Sequence, residues 1–453
     1  MFIFIVLIEK QTQTNTTFLM NKNKQKFDFK KQQIKHSFTA TKLTKYAGLS
    51  PIMKFINKFH IGHQLNELFP TEKSNASKFS NAQIILSLIL ASLSGVNRAI
   101  RISNFTSDSL VKALLNLSKN LNKDVIGQRL KNLGQNGSVL FQEYTFKKVR
   151  EWITKSQLTA VTIDCDSTVQ TVYGKQQGSA KGYNPDKKGA NSYHPIIAFI
   201  SELKIVVNNR FRTGSAYTSN GIKSFIKQTA EILPKAVKKI FFRADSGFFS
   251  GELIDLLEEL KWNYLIKVKL KNLYELLLNQ QWQSVSADVY VCEFEYQAKQ
   301  WEKKRKLKAI KTLIGYTQAE YFGEIQQVGV YQYACYCSDL ELTVQELHEK
   351  YNERSTSENW IEQVKNQLLA GKTLTNNFQA NDLLWQIGVF AYNLSIMLRY
   401  KIKKYWKEEH NTFRDWFIEL PAKILTGGRQ LKMKIYEHYY YRDDWEYLAC
   451  SDE

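Results

Sequence analysis

Residues 158–168 read LTAVTIDCDST. Val161, Ile163 and Cys165 alternate with Thr162, Asp164 and Asp166, a period of two that predicts a strand with one apolar face and both carboxylates on the other. YHPIIAFI (193–200) and KIVVNNRFRTG (204–214) continue as strands. A helical stretch near 220–233, the strand KKIFFRADSG (238–247), a helix near 251–260 and the strand NYLIKVK (263–269) follow. Three strands succeeded by alternating helices and strands describe an α/β layer. Such sheets carry their chemistry at strand ends, where Asp166 and Asp245 fall.

Upstream, apolar spacings of three and four predict helices over 49–69, 82–95, 107–118, 124–133 and 138–155. This basic block is either a helix-turn-helix reader of DNA, with Asp124 as N-cap and Gln128, Arg129 and Lys131 exposed, or a helical scaffold. Downstream, DVYVCEFEYQ, RKLKAIKTLIGY and VGVYQYACYC predict an all-β insertion over 271–340, with Lys303 to Lys311 forming a cationic ladder. Helix resumes near 343, and NDLLWQIGVFAYNLSIMLRYKIKKYW forms a second, apolar helix. The expected division is a helical DNA-binding domain at 20–155, a core at 156–270 and 341–400 interrupted by the insertion, and a basic helical region at 401–453. Residues 1–19 are expected to be disordered or an upstream extension.

The chain has 453 residues, 43% of them hydrophobic, enough to build proper cores. Its formal charge of +20 attracts polyanions, nucleic acid first and membrane phosphates second. Five scattered cysteines offer no disulfide framework and imply a reducing, cytoplasmic setting. The apolar run Phe2–Ile8 is too short for a signal peptide or span, and QIILSLILASLSG (83–95) reads as a buried helix; no membrane partner is expected.

Tyr351, Arg354, Glu358 and Lys365 carry the second chemical signal. On one regular helix, offsets of −7, −4 and +7 from Glu358 put the other three within about 40° of it on one face. A carboxylate flanked by cations suits a site where a metal and phosphates meet. Asp166, Asp245 and Glu358 are separated by 79 and 113 residues (166 to 245, 245 to 358). Three such carboxylates supply the hard oxygens that Mg²⁺ or Mn²⁺ takes in two-metal phosphoryl transfer.

The spacing Tyr-x2-Arg-x3-Glu-x6-Lys resembles the Y-R-E-K signature of one branch of the bacterial insertion-sequence DDE transposases, which have a ribonuclease H-like core. DSTVQTVYGKQQGSAKGYNPDKKGANSYHPIIAF (166–199) is similar to the segment after the first catalytic Asp in one subgroup, and RADSGF (243–248) resembles the surroundings of the second. The resemblance spans roughly 155–400 and, more loosely, the helical block. It implies Asp166, Asp245 and Glu358 as catalytic residues ligating two Mg²⁺ or Mn²⁺ ions, and Arg354 and Lys365 as contacts to transposon-end phosphates. Tyr351 would support the strand near the cut. It further implies cutting of terminal inverted repeats, joining of the 3′-hydroxyl to target DNA, a homodimer on double-stranded DNA and a nucleoid-associated place in a bacterial cytoplasm. Asp164 shares the strand face of Asp166, and the match aligns the Asp of Asp-Ser-Thr, favouring Asp166.

Other features are read against plainer alternatives. Gly174–Gly182 lacks the Gly-Lys-Ser/Thr ending of a phosphate loop and reads as a glycine-rich turn. Lys175, Lys181, Lys187 and Lys188 are then near DNA phosphates, or belong to a plain hairpin. His60 and His63 read as surface or packing residues. His194 reads as structural or DNA-adjacent. Trp360 and Trp385 read as core. Tyr436–Tyr441 either stacks on bases or packs the carboxyl end. The rival functions are a ribonuclease H-like nuclease without strand transfer and a catalytically silent DNA-binding descendant of a transposase.

Overall fold

The computed structural model describes residues 36–71, 78–96, 98–182, 184–185, 187–216, 221–321, 324–427 and 430–450. Two units are distinguished, 1–41 and 42–453. In the first, residues 36–41 are exposed and without regular structure, and the expectation for 1–19 lies outside the described residues. No helix among the described residues is long and apolar enough to cross a membrane.

The second unit opens with β1 (Leu43–Thr44), then α1 (Leu49–Lys58), α2 (Ile61–Leu68), α3 (Asn81–Leu93), α4 (Ala99–Ser107), α5 (Ser109–Leu115) and α6 (Lys123–Ser156). The predicted helix 49–69 is broken at His60, whose φ of 53° lies in the left-handed region. The two helices read at 124–133 and 138–155 run together as α6 with a break at Gly134, where φ is 54° and ψ −147°. Only glycine takes that conformation without strain. The N-cap of α6 is Asn122, which accepts from the Val125 amide, and not Asp124, which lies in the first turn. Arg129 donates to Asn81 Oδ1 at 3.0 Å and to the Phe79 carbonyl at 3.3 Å, tying α6 to the start of α3.

The α/β layer follows: β2 (Ala160–Ser167), β3 (Gln170–Thr171), β4 (Ala180–Lys181), β5 (Asn191–Tyr193), β6 (Ile196–Ile200), β7 (Ile205–Arg210), α7 (Ile222–Ile232), β8 (Lys239–Ala244), α8 (Gly251–Glu259) and β9 (Asn263–Lys267). Strand order is β7-β6-β2-β8-β9, with β6 antiparallel to its neighbours β2 and β7, and β8 and β9 parallel to β2. This is the ribonuclease H-like sheet that the resemblance implied. Strands β3, β5 and β4 form a small separate sheet.

The segment read as all-β holds α9 (Leu273–Leu278) before β10 (Gln283–Ser284), β11 (Val289–Tyr296), β12 (Arg305–Tyr321) and β13 (Glu324–Ser338). Its strands extend the core sheet to nine, because β13 pairs with β9 through Tyr336↔Lys267, Cys337↔Ile266 and Ser338↔Leu265. The expected cationic ladder is partly paired within the protein. Lys304 pairs with Glu295 at 3.4 Å, Lys306 with Glu293 at 3.3 Å, and Arg305 with Glu258 at 3.3 Å and with Asp255. Lys311 lies over the rings of Trp282, Tyr290 and Tyr331.

The last elements are α10 (Val344–Asn352), α11 (Ser355–Glu362), α12 (Phe378–Lys401), α13 (His410–Phe413), β14 (Ala422–Gly427), β15 (Gln430–Ile435) and α14 (Arg442–Cys450). The region beyond 401, read as helical, therefore contains a hairpin, and β14 also pairs with β1. Tyr436 and Tyr440 are exposed, whereas Tyr441 stacks on Trp416 at 4.8 Å.

α12 is the central post. Its Phe390 ring meets Phe141 at 5.6 Å, Tyr144 at 5.7 Å and Trp152 at 6.3 Å, so the amino-terminal helices share one core with the nine-stranded sheet and are not set apart from it. Asn393 exchanges two hydrogen bonds of 2.8 Å with the Val206 backbone, satisfying the open side of edge strand β7. Trp385 is fully buried and donates to Asn209, and Trp360 is buried, as the sequence predicts. Gly388 lets α12 lie against the chain at Ala370, since a Cβ there would meet the Ala370 nitrogen at 2.4 Å and its Cα at 2.6 Å. An exposed helical Gly→Ala change gains about 1 kcal/mol. Gly388→Ala is expected to reverse that sign and cost about 1–3 kcal/mol through overpacking, read as a lower denaturation midpoint in urea.

Candidate active site

β2 and β8 run in parallel with Cys165 opposite Ala244. The next residue of each strand is a carboxylate, so Asp166 and Asp245 arrive side by side at one sheet end. Asp245 Oδ1 accepts from the Gly247 amide at 3.0 Å, where Ser246–Phe248 turns into a short 3₁₀ helix. Glu358 comes from α11 and completes the group. Together with Ser167, Ser246, Lys267, Tyr351, Arg354 and Ile361, the three carboxylates line one cavity of about 430 Å³.

The four-residue stripe does not lie on one regular helix. α10 ends at Asn352, Glu353 and Arg354 keep helical angles at a joint, α11 carries Glu358, and Lys365 lies in a π-helical turn, Gln363–Gln367. The wider turn rotates Lys365 out of phase with the residues before it. Tyr351, Arg354 and Glu358 still face the first cavity. Lys365 lines an adjoining one of about 1050 Å³, which shares Ser167, Asp245, Ser246, Glu358 and Ile361 and also holds Lys181, His194 and Lys269. Lys175 is exposed in the turn between β3 and β4, and Arg129 is engaged with α3; neither lines these cavities.

The two aspartates of β2 have different surroundings. Asp164 is buried and grips Arg243, with Nε to Oδ1 at 2.7 Å and Nη2 to Oδ2 at 2.9 Å. Asp166 opens into the cavity, where Arg354 Nη2 meets its Oδ2 at 2.7 Å and the Ser167 amide its Oδ1 at 2.7 Å. Burial raises the Asp166 carboxyl to about 6, the negative charge of Asp245 adds to it, and Arg354 only partly offsets both. Burial opposes the charge on Arg354, but Asp166, Tyr351 and Asp245 outweigh it and raise its pKa. Burial pushes Tyr351 up to about 12, so it stays a phenol; its ring packs on Tyr336 at 5.0 Å.

As they lie, no three His, Cys, Asp or Glu side chains among the described residues are gathered tightly enough to hold an ion. Arg354 is the cation seated on Asp166. The donor set nevertheless suits a hard divalent cation, because three carboxylates share one cavity. Sequence reasoning passed over Lys267 and Lys269, which line the first and second cavities. Their signal was present, since alternate residues of the Lys-Val-Lys ending to NYLIKVK share a strand face.

A ribonuclease H-like sheet with carboxylates at the ends of neighbouring parallel strands, and a third on a helix, defines the metal-dependent enzymes that cut and join nucleic-acid strands. A family model described as transposase DDE domain group 1 matches residues 27–449, and the chain belongs to this family of DNA transposases. Members of the family use divalent metal ions and act on DNA. The piggyBac transposase synaptic complex with hairpin DNA is similar over 81% of this chain and 78% of that one, with 14% identity and a TM-score of 0.44. The Mos1 transposase paired-end complex with left transposon end is similar over 49% of this chain and 77% of that one, with 10% identity and a TM-score of 0.18. No curated protein matches the chain.

Proposed function

We propose that Asp166, Asp245 and Glu358 are the catalytic residues and hold two Mg²⁺ ions, with Mn²⁺ able to replace them. Bound there, the ions would activate the attacking oxygen and stabilise the leaving one at phosphorus. The observation that supports this most is the Cys165↔Ala244 register with Glu358 in the same cavity. Arg354 and Lys267 hold the phosphate at the cut. Lys365, Lys181 and Lys269 bind phosphates along the adjoining cavity, and Lys175 meets DNA farther out. Tyr351 supports the strand beside the reacting phosphate. The substrate is the terminal inverted repeat of an insertion sequence, bound by a homodimer. Hydrolysis frees a 3′-hydroxyl, which the same site then directs to target DNA, since both steps are in-line displacements.

The test incubates purified protein with terminal-repeat DNA and Mg²⁺. Nicked ends together with joined molecules are expected. Nicks alone would favour a nuclease, and no cleavage with any divalent ion would reject the site. Lys365→Ala is expected to weaken binding about equally across sequences and to reduce the slope of log affinity against log salt by about 1. Fluorescence anisotropy across a salt series checks this, and an unchanged slope would remove Lys365 from the phosphate contacts.

A further inference from the structure

One guanidinium joins the strands that lead to Asp166 and Asp245 to the joint between α10 and α11 that leads to Glu358. Arg243 stands two residues before Asp245 on β8, and its Nε and Nη2 hold Asp164, two residues before Asp166 on β2. Nη1 donates to the Lys350 carbonyl at 2.7 Å and to Glu353 Oε2 at 2.9 Å, at the joint from which α11 and Glu358 depart. Ser201, just past β6, donates its hydroxyl to Asp164 Oδ2. Arg243 and Asp164 are almost wholly buried, while Glu353 is 67% exposed at the rim of the cluster.

The joint is stitched to β2 at two rungs. Glu353 reaches the Arg243–Asp164 pair and the next residue, Arg354, reaches Asp166, two positions farther along the same strand face. An acid and a base that follow each other in the chain are thus divided between a structural rung and a catalytic one. Lysine could not replace Arg243, because only a planar fork with several donors serves Asp164, the Lys350 carbonyl and Glu353 at once.

We propose that Asp164, Arg243 and Glu353 form the positioning network that aligns Asp166, Asp245 and Glu358 for metal binding, with Arg243 as the positioning residue. The inference rests on the catalytic assignment above. Groups that orient metal ligands typically alter metal affinity by about 10- to 100-fold when lost.

Arg243→Lys and Glu353→Gln are compared with the wild-type protein in two assays: terminal-repeat cleavage against Mg²⁺ concentration, and the Mg²⁺-induced rise in melting temperature without DNA. Arg243→Lys is expected to need about tenfold more Mg²⁺ in both, and Glu353→Gln a smaller increase, with DNA affinity in EDTA unchanged. Variants that are merely less stable, with wild-type Mg²⁺ dependence in both assays, would overturn the network's role. Should Arg243→Lys fail to fold, Glu353→Gln decides alone, because its side chain lies at the solvent edge. A wild-type protein that responds to no divalent ion would instead overturn the carboxylate assignment, and this inference with it.

Discussion

Asp166→Asn, Asp245→Asn and Glu358→Gln are each expected to lower strand cleavage by on the order of a thousandfold or more, while terminal-repeat DNA stays bound. Each change keeps the side chain's shape and removes an anionic oxygen from the one cavity that all three share. A Lewis-acid centre contributes several kcal/mol to transition-state charge stabilisation, and each 1.36 kcal/mol is a factor of ten in rate. Binding is expected to survive because the proposed phosphate contacts are the lysines of the adjoining cavity, not the carboxylates. Gel assays of cleavage and joining, run beside anisotropy with the same DNA, measure the two separately. Asp164→Asn is the contrasting case. It leaves Arg243 buried without its full ion pair, a class of change that costs about 3–5 kcal/mol of stability, yet it removes no ligand. Cleavage retained by Asp166→Asn would sink the assignment.

The sheet was readable because a half-buried strand must alternate, and LTAVTIDCDST does so with Asp164 and Asp166 on one face. What separates the two aspartates was not readable, since it depends on Arg243, 79 residues later in the chain and brought alongside by parallel pairing. The stripe of Tyr351, Arg354, Glu358 and Lys365 was found by assuming one regular helix. The structure interrupts that helix at Glu353–Arg354, where Arg243 donates to the Lys350 carbonyl, and widens it after Glu362. The insertion's strands were legible as strands, but their pairing was not. Tyr336 opposite Lys267 joins residues far apart in sequence, and glutamates on β11 and α8 pair with members of the cationic ladder. Likewise the hairpin β14–β15 gains its place from β1, some 380 residues upstream, a distance over which no periodicity speaks.

The same site carries an energetic cost that can be measured without DNA. Burial and Asp245 raise the folded-state carboxyl of Asp166 from 3.8 to about 6. Below the lower value Asp166 is protonated whether the chain is folded or unfolded, so folding is not penalised. As pH rises towards 6 the unfolded chain ionises first, and the native state loses stability until it ionises too. Two pKa units at 1.36 kcal/mol each amount to about 3 kcal/mol at pH 8, on an order-of-magnitude scale. Asp166→Asn does not titrate, and its amide oxygen can still accept from Arg354. In EDTA, the variant is therefore expected to exceed the wild-type protein by only about 0.5 kcal/mol near pH 4 and by up to about 3 kcal/mol at pH 8, as read from denaturant midpoints. Adding Mg²⁺ at pH 8 should stabilise the wild-type protein and leave the variant nearly unmoved, because only the former presents Asp166 as an anion. A variant less stable than wild type at every pH would mean that the Arg354 ion pair outweighs the burial of Asp166, and that this carboxylate is held for the fold and not at its expense.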